Sequence, residues 1–350
     1  MTAEQKLVNL LKFNKLDSPF IFGELRNVEF INQMTGGDIR NAPDDDTRMY
    51  LTVTAYVRAG ITLTRSLMLP KWGLYGTGDN QVLWDGYLNW KPGGDRQYTY
   101  EEALEKMRCL TKSVPDEQII QRANEQMDYL EKAQALMGND MHFMPVVCYQ
   151  GLEGIYHSIG IENFAYLMAD DPELISETLE AAFAASNVYL DEIVKRYKGP
   201  AVHFGDDLGM KNTTIFSPEW LRKYYLPKLK NICNHAAGKG YAFSYHSCGN
   251  INSILDDLLD CGINLLDPLE WTSGMMLDEI KEKTGNRMAL SGNNNVNIFA
   301  LGRPLDVRNE TRRLLDTGGR GYMLPCYFPQ NAPVENIYAW MDEVRNYKYE

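Results

Sequence analysis

Short apolar runs alternate with longer amphipathic stretches along most of this chain. Eight of the apolar runs have the length and the bounding residues of β-strands. They cover residues 20–24, 61–69, 141–148, 201–207, 242–245, 263–267, 288–291 and 321–324. Most of the stretches between them are long enough for at least one helix, so the pattern is typical of an α/β protein.

Helical spacing of apolar residues dominates the intervening stretches. The predicted helices cover residues 101–110, 116–137, 172–197, 252–261, 276–283 and 304–317. Pro172 lies at a favoured early helical position. Ser217, Pro218 and Glu219 predict one more helix start, with an N-cap, a first-turn proline and an acid near the positive end of the helix dipole.

The alternation of strands and helices predicts a parallel sheet with right-handed crossovers. Eight repeats favour closure into a (β/α)8 TIM barrel of the α/β class. An open, doubly wound sheet is the alternative, because the pattern itself does not report closure. The sequence shows no low-complexity segment and no clean linker, so residues 1–350 are predicted to form one domain.

Composition narrows the functional class. The 350 residues are 44% hydrophobic and 23% charged, as in a globular protein. A net charge of −12 argues against nucleic-acid binding, which depends on cationic contacts to phosphate. Six cysteines at irregular spacing do not form a disulfide framework, and neither a signal peptide nor a long apolar span is evident. The expected setting is cytoplasmic, without membrane contact.

His246 and Cys248 follow the apolar run 242–245 and lie two residues apart. Strand alternation sends both side chains to the same face, so they project together from the C-terminal end of the predicted strand. Cys326 ends another apolar run 78 residues later (326 − 248). One imidazole and two thiolates form the ligand set of a catalytic zinc site whose fourth position is open.

A role in the core is the alternative for each cysteine, because a lone buried cysteine is more often a small packing residue than a ligand. Position favours the ligand interpretation. Both apolar runs are followed by glycine or proline and then by a helical pattern, so each thiol lies at a strand-to-helix junction. Enzymes of the α/β class keep their chemistry at such junctions.

Several segments resemble the uroporphyrinogen decarboxylase superfamily. They are Gly205-Asp206-Asp207-Leu208-Gly209, Ser217-Pro218-Glu219-Trp220, Pro227, His246-Ser247-Cys248-Gly249-Asn250, Leu290-Ser291-Gly292-Asn293 and Pro333-Val334-Glu335-Asn336. The resemblance extends from about residue 141 to residue 344. His-x-Cys with a distant cysteine resembles the cobalamin-dependent methyltransferase branch, whose members move methyl groups between methylcobalamin and a thiol or folate. It implies a TIM barrel with zinc ligands at His246, Cys248 and Cys326.

The N-terminal part departs from the decarboxylases of this superfamily. They carry an arginine-rich segment that holds the carboxylates of the porphyrin, whereas residues 19–26 contain one arginine and Glu24. The predicted strand ends also offer Asp206, Asp207 and Glu270. A substrate with many carboxylates needs several cations in its cleft. Porphyrinogen decarboxylation is therefore the less favoured activity.

The methyltransferase resemblance implies roles for further residues. Asp206 or Glu270 is the candidate catalytic carboxylate and fourth zinc ligand. The equal alternative for Asp206 and Asp207 is a pair of loop carboxylates that cap the following segment. The remaining candidate substrate contacts are Glu24, Asp207, Tyr245, Asn293 and Asn295, and the asparagines have a turn as their alternative. Because no cobalamin-binding Asp-x-His-x-x-Gly segment is evident, the corrinoid would come free or on a separate protein.

Residues 70–100 are rich in tryptophan and tyrosine, with glycines between them. This composition predicts either a lid over the barrel mouth or a loop packed on the protein surface.

Three functional classes remain open. The first is a zinc methyltransferase that acts on a small-molecule methyl acceptor. The others are a decarboxylase and a non-catalytic corrinoid- or ligand-binding protein.

Overall fold

A computed structural model describes residues 1–67, 98–328 and 332–349. It also gives the backbone of two short strands, Leu83–Trp84 and Leu88–Asn89, which pair antiparallel. The predicted aromatic lid over residues 70–100 falls almost wholly outside the described residues. The same is true of residues 68–69, the end of the second predicted strand.

All eight predicted strands are present, and the first four are shorter than predicted. They are β1 (Phe20–Phe22), β2 (Leu63–Thr64), β3 (His142–Phe143), β4 (Ala201–Gly205), β5 (Ala242–His246), β6 (Leu265–Leu269), β7 (Ala289–Gly292) and β8 (Tyr322–Pro325). The polar residues at several predicted strand ends lie just beyond the ladder, so they belong to the loops that follow the strands.

The strands form one parallel sheet in the order β3-β2-β1-β8-β7-β6-β5-β4. The two ends of this order meet, because Val146, just after β3, bridges in parallel to His203 in β4. The amide of Val147 donates to the carbonyl of His203 at 2.7 Å, and the amide of His203 donates to the carbonyl of Pro145 at 2.9 Å. These contacts close the ring, so the fold is a (β/α)8 TIM barrel.

Helices surround the barrel and include all those predicted. In chain order, α1 to α15 are Ala3–Leu11, Val28–Thr35, Asp45–Ala59, Tyr100–Leu110, Asp116–Met137, Leu152–Ile159, Ile161–Asp170, Pro172–Arg196, Pro218–Trp220, Leu226–Gly238, Leu255–Asp260, Leu277–Thr284, Val296–Leu301, Pro304–Gly318 and Val334–Asn346. A π-helical turn, Leu221–Tyr225, joins α9 to α10, and 3-10 turns cover Asn252–Ile254, Trp271–Ser273 and Gly285–Arg287. The Ser217 hydroxyl caps α9 by accepting from the Trp220 amide at 3.2 Å.

The barrel interior has an apolar floor. Leu7 and Leu10 of α1 pack there against inward-facing residues of the strands. These strand residues are Phe20, Phe22, Leu63, Ala201, Leu265, Ala289 and Met323. A larger apolar cluster lies between the barrel and its helices. Within the residues that the structure describes, no helix has the length and apolar character needed to cross a bilayer.

Candidate metal centre

Above the apolar floor, strand alternation places polar side chains at the C-terminal end of the barrel. In five strands, the residue two positions after an inward apolar side chain is polar or charged. These pairs are Phe22 and Glu24, Leu63 and Arg65, Ala201 and His203, Leu265 and Asp267, and Ala289 and Ser291. All five polar residues are buried, so this end of the interior is an ionic layer in which each charge needs a partner.

His246, Cys248 and Asp207 bring a nitrogen, a sulfur and an oxygen together at the rim of this layer. Their candidate ligand atoms all lie within 4.8 Å of one another. The His246 Nε2 atom is 3.5 Å from Cys248 Sγ and 3.5 Å from Asp207 Oδ1. Ligands at about 2.0–2.3 Å from a tetrahedral zinc ion lie roughly 3.3–3.8 Å apart. The donor types and their spacing therefore fit zinc.

A close backbone crossing shapes the loop that carries Cys248. Gly249 has φ of +79°, and a Cβ built there would overlap the backbone of Gly209 in the loop after β4. Met210 and Asn250 pair their backbones beside this crossing. The amides of Cys248 and Gly249 donate to the carboxylates of Asp207 at 2.7 Å and Glu270 at 2.8 Å. Two glycines and two carboxylates thus set the position of the thiol.

The other ring nitrogen of His246 faces Asp267 and Arg65. Nδ1 lies 3.0 Å from Asp267 Oδ2 and 3.0 Å from Arg65 Nη2. A guanidinium only donates, and an ionised carboxylate only accepts, so the two contacts need opposite protonation of Nδ1. A metal ion bound to Nε2 would leave the proton on Nδ1, which would then donate a hydrogen bond to Asp267. A carboxylate behind a ligating histidine is common at zinc sites.

Charges inside the barrel set the protonation of the residues behind His246. Burial opposes ionisation of Asp267, yet Arg65 and His246 hold the pKa of its carboxyl well below the usual range. Burial and the Arg65 charge hold the pKa of His203 well below its usual value, so His203 is neutral. Its Nδ1 then donates to Ser244 Oγ at 3.0 Å, and its Nε2 accepts from Arg65 at 2.9 Å.

The thiol of Cys248 is held in a setting that suits a metal ligand. Burial raises the pKa of this thiol, and the nearby Asp207, Glu270 and Asp267 raise it further. Without a cation the sulfur therefore keeps its proton at neutral pH. A bound divalent cation inverts this balance, because coordination deprotonates a thiol.

Cys326 is not among the three clustered ligands. It lies just after β8, is fully buried, and donates its amide to the carbonyl of Phe22 at 2.9 Å. Burial and the Glu24 carboxylate raise the pKa of its thiol. Two strands, β7 and β6, lie between β8 and β5, and the Cys326 side chain packs in the apolar cluster between the barrel and its helices. Its part in metal binding stays a prediction.

Asp206 anchors a helix. Its carboxylate accepts from the amides of Leu152 at 2.7 Å and Glu153 at 2.5 Å, at the start of α6, and from the Tyr225 hydroxyl at 2.8 Å. Burial raises the pKa of Asp206 to about 7, against the opposing effect of these three donors. Asp206 therefore caps α6, which precedes it in the chain, and the carboxylate clustered with His246 and Cys248 belongs to Asp207.

Comparison with known proteins places this site in a family. The family described as Uroporphyrinogen decarboxylase (URO-D) matches residues 153–347, more than half of the chain, including Asp207, His246, Cys248 and Cys326. The chain belongs to this family. Two curated relatives, each named Methylcobamide:CoM methyltransferase MtaA, come from Methanosarcina barkeri (strain Fusaro / DSM 804) and Methanosarcina barkeri. They are 25% and 24% identical to the chain over 182 residues.

The alignment with these relatives covers 52% of this chain and 51% of theirs, so the chain spans about half the length of the curated relatives it matches. A solved structure described as a methyltransferase from Methanosarcina mazei covers 99% of the chain and is itself covered to 98%. It is 20% identical, with a TM-score of 0.69. This similarity confirms the barrel over the whole described length.

Two other candidate residues of this URO-D family chain lie at the barrel mouth and are already paired. Glu270 follows β6, where Oε2 accepts from Gly249 and Oε1 accepts from the Thr272 hydroxyl at 3.0 Å. Glu24 follows β1, where it accepts from Arg26 at 3.0 Å and lies 3.6 Å from the Nε of Arg65. Glu270 thus supports the Cys248 loop, and Glu24 belongs to the ionic layer.

The remaining candidate substrate contacts have partners other than the three candidate metal ligands. Tyr245 points outward from β5, stacks on Phe204 and bonds to the Tyr225 hydroxyl at 2.9 Å. Asn293 is buried and donates to the carbonyl of Met275 at 2.7 Å. Asn295 caps α13 through its side-chain oxygen. Their contacts are those of structural residues, and a substrate role for them stays a prediction.

Sequence reasoning missed Arg65, His203 and Asp267. Each interrupts an apolar run in the sequence, Leu63-Thr64-Arg65, Ala201-Val202-His203 and Leu265-Leu266-Asp267. A charge within a buried strand needs a partner, so these interruptions were a usable signal. The identity of each partner depends on barrel closure, which brings together Arg65 and Asp267 from 202 residues apart.

Proposed function

We propose that the protein is a zinc-dependent methyltransferase. It moves a methyl group between methylcobalamin, free or on a separate corrinoid protein, and a thiol or folate acceptor. The observation that carries the proposal is the convergence of His246 Nε2, Cys248 Sγ and an Asp207 oxygen at the catalytic end of a URO-D family barrel. The names of the relatives supply the reaction class.

The clustered side chains would hold the metal ion. His246 offers the Nε2 lone pair while Asp267 holds Nδ1, and Cys248 and Asp207 supply sulfur and oxygen. Cys326, at the end of β8, is the proposed further thiolate. Bound zinc would lower the pKa of a coordinated acceptor thiol, so that the acceptor is held as a thiolate at neutral pH.

The rim beside the cluster offers apolar surface for a corrin ring. Met210 is 56% exposed and Trp271 is 40% exposed. Met210 pairs with Asn250 of the Cys248 loop, and Trp271 directly follows Glu270. Large apolar side chains that remain exposed at the rim of a site are typical of a binding surface. The exposure of Met210 and Trp271 supports the proposal that the methyl donor enters from this side.

Metal analysis followed by a methyl-transfer assay tests this function. The purified protein is expected to hold one zinc ion per chain and to demethylate methylcobalamin, followed by absorbance, with one member of a thiol panel. His246→Ala is expected to lose both properties. Zinc without demethylation by any thiol or folate would favour a ligand-binding protein. Absence of zinc from a folded protein would refute the metal centre.

We also propose that the protein is cytoplasmic and that residues 1–350 form a single domain. The barrel spans the described residues, and β1 pairs directly with β8. N-terminal and C-terminal segments therefore share one sheet, which supports a single folding unit. Limited proteolysis is expected to give no stable half-length fragment.

A further inference from the structure

Arg65 lies where the ionic layer meets the candidate metal centre. It follows β2, is 7% exposed, and reaches across the barrel interior to residues of β4, β5 and β6. Beneath it the Phe22 ring lies 5.6 Å from the guanidinium carbon. A residue that contacts this many strands at the catalytic end of a barrel is placed to fix their relative positions.

The strongest contact of Arg65 is with the carboxylate of Asp267. One guanidinium nitrogen, Nη1, lies 2.9 Å from Oδ2 and 3.1 Å from Oδ1. The same nitrogen donates to His203 Nε2 at 2.9 Å, and His203 is itself held by Ser244. A charge-assisted contact of this kind restricts the carboxylate to one orientation.

In that orientation Asp267 Oδ2 is 3.0 Å from His246 Nδ1. We propose that Arg65 is a positioning residue for the metal centre. Arg65 holds the Asp267 carboxylate, and this carboxylate in turn fixes the imidazole of His246. This inference rests on the proposed zinc site. Partners of ligating histidines orient the ring, and their removal typically lowers metal affinity by about 10–100-fold.

The variants Asp267→Asn and the double variant Arg65→Gln with Asp267→Asn test this role. Asp267→Asn leaves the Arg65 charge with Glu24 at 3.6 Å. The double variant removes both charges of the pair, so no unpaired buried charge remains to prevent folding. Arg196→Gln is the matched control, because Arg196 pairs with Glu131 and Asp128 and lines a separate cavity beside the start of β3.

Zinc affinity, measured by competition with a chelator, is the first readout. Asp267→Asn is expected to weaken zinc binding by roughly 10–100-fold. If Arg65 acts through Asp267, Arg65→Gln also weakens zinc binding in the folded protein, and the double variant binds zinc no more weakly than Asp267→Asn alone, because the two changes remove one interaction. Arg196→Gln is expected to keep the wild-type affinity.

The absorption spectrum of the Co²⁺-loaded protein is the second readout, because its thiolate and ligand-field bands report the geometry of the centre. Asp267→Asn and the double variant are expected to share one altered spectrum. A further large loss of affinity in the double variant would overturn the inference. So would wild-type affinity in both variants, or a raised KM for the thiol with zinc binding unchanged, which would make Arg65 a substrate contact.

The wild type separates this inference from the function beneath it. If the wild type binds no zinc, the proposed metal centre fails, and the positioning role fails with it. If the wild type binds zinc and transfers methyl groups while both variants bind zinc normally, only the positioning role fails.

Discussion

At the scale of single residues, the two sulfur atoms proposed for the metal centre differ in their surroundings. Cys248 lies 3.5 Å from His246 Nε2 on the same strand end. Cys326 lies three strands away, against β1. We expect Cys248→Ala to abolish zinc binding and thiol methylation with little effect on the fold, because a rim ligand does not hold the core together.

Cys326→Ala decides whether the second thiol is a ligand. As a ligand, its loss is expected to abolish methylation and to weaken zinc binding, measured by metal content after dialysis. As a packing residue, its loss would leave both unchanged and lower only the melting temperature. Cys109→Ala, on the exposed side of α4, is the control for thiol loss as such. Wild-type turnover in Cys248→Ala would show that the ligand assignment is wrong.

Asp206 makes stability depend on pH in an unusual direction. Its pKa is raised by burial from 3.8 to about 7. Between these values the folded protein holds one more proton than the unfolded chain, so the free energy of unfolding is expected to fall as pH rises from about 4 to about 7. Above that range the loss is complete.

Urea unfolding of the wild type and of Asp206→Asn across this pH range measures the effect. The difference between the two proteins is expected to move in favour of the variant as pH rises, since the amide does not titrate. Asp260→Asn, an exposed position at the end of α11, is the control. A change in the opposite direction would mean that the two amides and the Tyr225 hydroxyl stabilise the ionised form.

At the scale of elements, the loop after β5 depends on its crossing with the loop after β4. Gly249 combines φ of +79° with backbone contact to Gly209. Gly262 has φ of +92° but no atom within 4 Å of a built Cβ. Gly262→Ala is therefore expected to cost only backbone strain, about 1–2 kcal/mol, whereas Gly249→Ala must also move a loop.

Zinc affinity distinguishes the two glycine variants. Gly249→Ala is expected to displace Cys248 and to weaken zinc binding in the folded protein. Gly262→Ala is expected to bind zinc as the wild type does, with a lower melting temperature. Equal zinc affinity in both variants would show that the crossing does not position the thiol.

Elements were more predictable from the sequence than contacts. Runs of apolar residues located every barrel strand, because a strand buried on both faces reads as a continuous apolar segment. The predicted helix 116–137 matches α5 at both ends. The direction of a side chain was harder to predict from the sequence. Tyr245, for example, lies next to His246 in the same strand and points to the opposite face. Cross-barrel partners such as Arg65 and Asp267 required the closed ring.

At the scale of the whole molecule, the charges of the barrel mouth argue against a polyanionic substrate. The arginines that the structure describes near the ionic layer, Arg26 and Arg65, contact Glu24 and Asp267. A porphyrinogen with many carboxylates would compete with these contacts and add repulsion, at a cost of several kcal/mol. We expect uroporphyrinogen to bind weakly and to keep its carboxylates.

Chromatography of the products after incubation with uroporphyrinogen III tests this expectation. A known uroporphyrinogen decarboxylase serves as the positive control for substrate quality. Accumulation of coproporphyrinogen with the wild type, and its loss in Asp267→Asn, would assign the decarboxylase reaction to this site.

The barrel interior is divided along its axis into an apolar floor, built by α1 and the strand starts, and an ionic layer above it. Such a division separates the residues that are under selection for folding from those under selection for chemistry. Changes of charge near the mouth need not disturb the packing of Leu7 and Leu10 beneath. A lineage built on this barrel can therefore exchange one substrate for another by substitutions that keep the buried charges paired, while the packing beneath them is inherited.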